Sequence, residues 1–336
     1  LPSFQKMKKF ESILKLSKDA ENVFYMMNGV FAVYKPPGEH IMQVERTLKV
    51  KLCQDLNKLN VRPPGDHVRI DGATNKTMSV TVGPSYADHP LLVGPRYQLE
   101  DIKLTFANKL YTDSSGVLIC GINNARYTIY KLRDSQPTKF YKLKGILGKA
   151  TENWFVGGRV VEKTTFKHVR REHIDKICAS MQSSHQKNMF NVCGLPIQSQ
   201  AAYELALQGP IRPATDKISM LYSIKCVDFK PPEFTLEIVC MNEDEMFLKE
   251  LVHTLGLQVR STAACSQIQC FRFGIFTVEH ALLKKHWTLQ GITHGMAQCR
   301  NILVENKFMK HQRDPILKEY SEVKRIESES KPMITA

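Results

Sequence analysis

The chain has 336 residues, 43% of them hydrophobic, a composition that supports a sizeable buried core and excludes fibrous, low-complexity and disordered proteins. Lysine and arginine number 47 against 33 aspartate and glutamate, a formal net charge of +14, and such an excess draws polyanions because each phosphate neutralised releases condensed counterions. The nine cysteines include no Cys-x-x-Cys pair, which argues against a zinc site and for buried thiols, and no apolar run reaches the ~20 residues of a bilayer-crossing helix.

Residues 1–27 read as a basic extension. Lys6, Lys8, Lys9 and Lys15 alternate with Phe4, Phe10, Ile13 and Leu14, a pattern shared by amphipathic targeting segments and ordinary basic helices. Gly29–Lys35 alternates, is β-rich and stops at Pro36-Pro37-Gly38, which predicts a strand running into a turn. Val44, Leu48, Leu52, Leu56 and Leu59 recur at helical spacing. Residues 60–67 read as a loop and 77–82 as a strand. A short buried strand at 117–121 precedes a helix to about Arg133, and Lys139–Leu147 is extended again. Gly145, Gly148 and Lys149 suggest a phosphate loop, but Leu143 stands where its first glycine belongs and Ala150 where its hydroxyl belongs, so nucleotide hydrolysis is excluded.

Residues 172–181 and 200–208 are helical by pattern. Phe234, Leu236, Ile238 and Cys240 alternate as a strand with one face in the core. The best-marked helix follows, with Asn242 as its cap, Glu245 in capping-box spacing, Leu248, Leu251, Val252 and Leu255 on one side, and Gly256 at its end. Past about residue 300 the pattern dissolves into a charged tail. The elements predict an α+β fold with a mixed, largely antiparallel sheet rather than regular βαβ units.

Several short segments gain meaning from their order. They are Gly29 to Gly38 with its Lys35-Pro36-Pro37-Gly38 end, Ser114 to Leu118 (Ser-Ser-Gly-Val-Leu), Lys139-Phe140-Tyr141, Leu147 to Glu152, Ala202-Tyr203-Glu204 with Gly209, Phe247 to Gly256, and Phe271 to Val278. Together, over about residues 28 to 290, they resemble the TruB family of RNA pseudouridine synthases, and above all its metazoan mitochondrial branch. The resemblance implies one pseudouridine synthase domain over residues 28–300, followed by a polar tail over 301–336 that is too short for an added RNA-binding domain. It also implies a mitochondrial (matrix) location and as partner a stem–loop of mitochondrial messenger, ribosomal or transfer RNA, with proteins of RNA granules or ribosome assembly beside it.

Members of that family flip a uridine out of its stack, cleave the glycosidic bond and rejoin the base through carbon, without metal or cofactor. Flipping costs a few kcal/mol, offset by the pocket that receives the base. An aspartate serves as nucleophile, an arginine pairs with it, and the tyrosine of Lys-x-Tyr packs on the base and helps to deprotonate it.

Carried over residue by residue, the site departs from the family pattern. The Leu-Asp pair falls on Leu110-Tyr111, and a phenol with a pKa near 10 does not replace a carboxylate. The Gly-His ahead of it is Ala107-Asn108. The arginine position holds Lys249, which keeps the charge and loses the fork, and a further arginine falls at about Gln269. Tyr141 is retained. Asp113, two residues past Tyr111, is the candidate displaced nucleophile, or else a turn residue capping its own loop beside Thr112, Ser114 and Ser115. Lys35, Lys139, Lys142, Lys144 and Lys149 are the candidate RNA contacts. Two functions follow. The losses together favour an RNA-binding member with weak or lost catalysis; the alternative is an active synthase using Asp113.

Overall fold

The computed structural model describes residues 18–61, 66–85, 90–207 and 219–306. The sequence-marked stretch at 1–16 and most of the charged tail lie outside the described residues. A nine-stranded sheet forms the body. Its strands are β1 (Gly29–Lys35), β4 (Leu104–Phe106), β5 (Ser114–Ile122), β6 (Lys139–Leu147), β9 (Met220–Lys230), β10 (Glu233–Met241), β11 (Ala263–Phe273), β12 (Phe276–Thr277) and β13 (Ala281–Leu282). They run in the order β13-β1-β5-β11-β6-β10-β9, with β4 on β5 and β12 on β11. Only β1–β13 and β5–β11 are parallel pairs, so the sheet is mixed and largely antiparallel, in an α+β fold. Two small hairpins lie off it: β2 (Asp66–Asp71) with β3 (Ser79–Pro84), and β7 (Lys149–Thr151) with β8 (Val160–Lys163).

Helices α2 (Ile41–Asn57), α4 (Arg171–Val192) and α6 (Glu245–Gln258) cover one face. There Val44, Leu48, Leu52, Ile174, Cys178, Leu248, Leu251 and Val252 meet Phe31, Val33, Leu118, Leu143, Leu236 and Ile238. On the other face Val30, Ala32, Val117 and Ile119 meet Ile129 and Leu132 of α3 (Arg126–Asp134) and Cys299 of α7 (Leu289–Glu305). All of β5 is buried, as befits a central strand covered on both sides. Its Gly116 has φ +125°, and a Cβ there would stand 2.0 Å from the Cys270 carbonyl oxygen. Only glycine lets β5 lie against β11 at that level.

Several boundaries depart from expectation. The loop at 60–67 gives way to β2 at Asp66, and the buried strand at 117–121 begins three residues earlier, at Ser114. Helix α4 runs on to Val192. Asn242 does not cap α6: it holds φ +55° at the corner after β10. Asp244 is the cap, its Oδ1 accepting from the Phe247 amide at 2.7 Å. Gly256 lies inside α6, where a Cβ would stand 2.4 Å from the Ala263 nitrogen, so it serves close packing on β11 rather than termination. The boundary at residue 27 also falls inside packed structure, because α1 (Ala20–Met26) buries Ala20 and Val23 in the same core. No helix among the described residues is long and apolar enough to cross a membrane.

Candidate active site

The loop ahead of β5 is tied down at both ends. Buried Asn108 donates from Nδ2 to the Val117 carbonyl at 2.9 Å, and its Oδ1 accepts from the Ile119 amide at 3.0 Å. Leu110 is buried, whereas Tyr111 is 44% exposed. The chain then turns, with the Ser114 amide donating to the Tyr111 carbonyl at 3.2 Å. Lys35, at the end of β1, is fully buried beneath this turn. Its Nζ donates to the Ser114 carbonyl at 2.6 Å and more weakly to those of Pro36 (3.2 Å) and Thr112 (3.5 Å). Burial lowers its pKa to about 8, against the pull of Glu245, Glu39 and Asp113. Lys35 therefore holds the loop from below, and its ammonium is not presented to a phosphate as the sequence reading expected.

So fixed, the turn aims Asp113 at α6. Asp113 Oδ2 accepts from Lys249 Nζ at 2.7 Å, and Glu245 Oε1 accepts from the same nitrogen at 2.6 Å. Lys249 is 6% exposed, Glu245 13% and Asp113 34%. Lys249 and Glu245 stand one helical turn apart, the spacing at which such pairs meet.

Burial pushes Asp113 up, but the hydrogen bond and charge of Lys249, with the charge of Lys35, outweigh it and hold Asp113 below the usual carboxylate range. Burial raises Glu245, which Lys249 opposes without cancelling, and the Asp113 charge adds to the rise. Lys249 keeps its proton against burial through both partners. Tyr111 is exposed, and Asp113 is engaged with a side chain 136 residues away rather than only capping its own turn.

An aromatic wall closes the cluster. The loop between β7 and β8 is bonded to β11 on either side of Phe155: the Cys265 amide donates to the Trp154 carbonyl and the Val156 amide to the Cys265 carbonyl, both at 2.8 Å. Phe155 therefore lies over α6, its ring centre 5.0 Å from Lys249 Nζ, while Trp154 stacks on His253 at 5.9 Å. Sequence reading missed Phe155, Glu243 and the role of Glu245. Only Glu245 had a signal, its spacing of four residues from Lys249.

Tyr141 makes its hydrogen bond outside that cluster. It is buried and donates its hydroxyl to Glu243 Oε1 at 2.6 Å, and burial with the Glu243 charge raises its pKa well above the usual phenol value. Lys139 is held by the same oxygen at 2.7 Å, so it is engaged inside the fold and not free for a phosphate. The lysine run does not make one surface. Lys139 and Tyr141 share the core-facing side of β6, Lys142 and Lys144 alternate onto the opposite side, and Lys149 is exposed on β7.

A model of the TruB family pseudouridylate synthase N-terminal domain matches residues 96–245. Pseudouridylate synthase TRUB2, mitochondrial, from Xenopus tropicalis is 38% identical over 292 residues, covering 85% of this chain and 89% of the relative. Its Homo sapiens counterpart is 38% identical over 273 residues, 79% of this chain and 82% of the relative. Among solved structures, the archaeal box H/ACA Nop10–Cbf5 complex aligns with a TM-score of 0.42 and 13% identity over 88% of this chain. The chain spans 62% of that longer protein, a likeness too distant to carry detail of the site. Identity of 38% over most of both sequences puts the chain in the class of pseudouridine synthases. It belongs to the TruB family, in the metazoan mitochondrial branch, and is mitochondrial with those relatives.

Proposed function

We propose that the protein is an RNA pseudouridine synthase of mitochondria in which Asp113 is the reacting carboxylate and Lys249 its cationic partner. The observation that carries this reading is the 2.7 Å contact between Asp113 Oδ2 and Lys249 Nζ, with Tyr111 turned outward. A carboxylate placed two residues later along the loop reaches the helix that bears the cation, and the turn anchored by Lys35 supplies the rigidity that a reacting group needs. The substrate class is a uridine in a stem–loop of mitochondrial messenger, ribosomal or transfer RNA, drawn in by the chain's net charge of +14. Phe155 offers a face on which a flipped base can stack.

One observation favours the second reading, an RNA-binding protein with little or no catalysis: the Tyr141 hydroxyl is occupied by Glu243 rather than directed to Asp113. A single-turnover experiment separates the two. The protein, in excess over a transcribed pool of mitochondrial RNAs, is expected to form pseudouridine detectable by mass spectrometry, and Asp113→Ala is expected to form none. RNA binding without any pseudouridine from the unaltered protein refutes the enzyme and leaves the binding function.

A further inference from the structure

We infer that Glu243 is the positioning residue of Tyr141: it fixes the tyrosine oxygen and receives the phenol proton when the base loses its own. The inference rests on the reading of the protein as a synthase. It leaves deprotonation of the base with Tyr141 and supplies the partner that this tyrosine needs.

The arrangement follows from spacing. Lys139 and Tyr141 lie two residues apart on β6, so their side chains leave the same side of the strand, and they meet at one atom. Glu243 Oε1 accepts from the Tyr141 hydroxyl at 2.6 Å and from Lys139 Nζ at 2.7 Å. The Glu243 side chain is 3% exposed, and Tyr141 is buried. On β10 the Cys240 thiol donates to Glu243 Oε2 at 3.8 Å, and Cys270 of β11 lies opposite Tyr141. Burial works against the Lys139 proton, but the charge and hydrogen bond of Glu243 outweigh it, so the pair stays ionised and fixed.

Two connections tie this pair to Asp113. In the sheet, Tyr141 pairs with Cys270, Cys270 with Gly116 and Gly116 with Lys35. The tyrosine is therefore level with the lysine that holds the Asp113 turn. Along the chain, Glu243 stands two residues before Glu245, which accepts from Lys249, the partner of Asp113. One corner between β10 and α6, with left-handed Asn242 at its start, thus places both the acceptor of the tyrosine and the cation of the carboxylate.

The contact that occupies the hydroxyl also fits it to be a base. A phenol has one proton to donate, and that of Tyr141 is directed to Glu243, so toward any other group its oxygen is an acceptor. Burial and the Glu243 charge keep Tyr141 a neutral phenol, which takes a second proton only as the first moves on. The step balances. Once the C5=C6 pair has formed the bond to C1′, C6 is doubly bonded to N1 and C5 still holds its hydrogen. The C5 proton passes to the Tyr141 oxygen as the phenol proton passes to Glu243 Oε1. The C5–H electron pair closes the C5=C6 bond, and the N1=C6 pair moves onto N1, which takes a proton from solvent. Glu243 returns its proton to solvent as the product leaves.

The test uses the full chain in single turnover on a transcribed mitochondrial RNA pool carrying hydrogen or deuterium at uridine C5. Pseudouridine formation and RNA affinity are measured for wild type, Glu243→Gln, Glu243→Asp, Tyr141→Phe, Glu243→Gln with Tyr141→Phe, and Asp113→Asn, with thermal melts to confirm folding. Glutamine still accepts from the phenol but takes no proton. Glu243→Gln is therefore expected to lose about 100-fold or more in rate with RNA affinity unchanged, and to show a larger deuterium isotope effect than wild type. Glu243→Asp, which retains a carboxylate, should recover part of the rate. Adding Tyr141→Phe to Glu243→Gln should multiply no further loss, because the two side chains act as a unit. If Glu243→Gln melts early, Lys139→Met with Glu243→Gln, which removes both charges of the buried pair, is measured in its place with the same expectations. A Glu243→Gln rate within about threefold of wild type, an isotope effect no larger, or losses that multiply in the double variant overturns the role of Glu243. An active Asp113→Asn overturns the assignment of Asp113 and leaves that of Glu243 standing. A wild type that forms no pseudouridine overturns both.

Discussion

Lys35 meets two opposed demands at one atom. Its ammonium is buried, which costs free energy, yet that same group holds the Ser114 carbonyl that keeps Asp113 in place. Its folded pKa of about 8 lies below the unfolded value near 10.4. Between those values the unfolded chain binds the extra proton, so the Lys35 contribution to stability rises with pH across that window. Comparing melts of wild type and Lys35→Met, wild type should gain on the variant by about 2 kcal/mol between pH 7.5 and 9.5. The variant should also lose most single-turnover activity as the loop loosens. An equal pH response in the two proteins would mean that Lys35 is not held in this environment.

Lys249 poses the complementary case. Lys249→Met leaves Asp113 and Glu245 facing each other with no cation between them. Breaking a buried pair costs about 3–5 kcal/mol, and the partial exposure of Asp113 reduces the expected loss to about 2 kcal/mol. Adding Asp113→Asn to Lys249→Met should return at least half of that loss in urea denaturation, because the orphaned charge is gone. Purely additive costs would show that the two side chains are uncoupled. The Asp113 share of this stability is present above its unfolded pKa near 4 and is lost as pH falls through its lower folded value.

At the scale of elements, the junction between β10 and α6 decides whether the site exists. Asp244 fixes the first turn of α6, and Glu245 and Lys249 take their positions from it. Asp244→Ala is expected to cost about 1 kcal/mol and to lower single-turnover activity, whereas Asn242→Gly, at a left-handed corner that glycine adopts without strain, should leave the melting temperature nearly unchanged. An equal loss from both would return the cap to Asn242.

The contrast also shows how far the sequence could be read. β1, β6 and α2 were legible because their apolar periods are clean and their ends are marked by proline, glycine or a buried heptad. The latter half of α4 was not, since Gln182 to Lys187 carry no apolar stripe. Helix α7 was missed because Gly291, Gly295 and His294 break its period, although Met296 and Cys299 are buried. In the site, Asp113 and Lys249 were named through the resemblance to the family, which set the positions to inspect. The orientation of Asp113, the depth of Lys35 and the wall made by Phe155 depend on contacts between distant segments, which no local pattern records.

At the scale of the whole molecule, the positive charge is divided between work inside the fold and work at the surface. Lys35, Lys139 and Lys249 are spent on carbonyls and carboxylates within it, while Lys144 and Lys149 are exposed on the strand surfaces. Only the second kind can exchange counterions with RNA. Each phosphate contact contributes about 0.7–0.9 to the slope of log affinity against log salt. If both exposed lysines track the backbone, Lys144→Glu with Lys149→Glu should flatten that slope by one to two units and weaken binding alike for all RNA sequences, with melting temperature unchanged. Lys139→Glu should instead lower the melting temperature, because it sets a second carboxylate against Glu243, and should leave the salt slope intact. A slope unmoved by the double substitution, measured by filter binding between 50 and 200 mM salt, would shift the RNA path away from β6 and β7 to other basic surface of the chain.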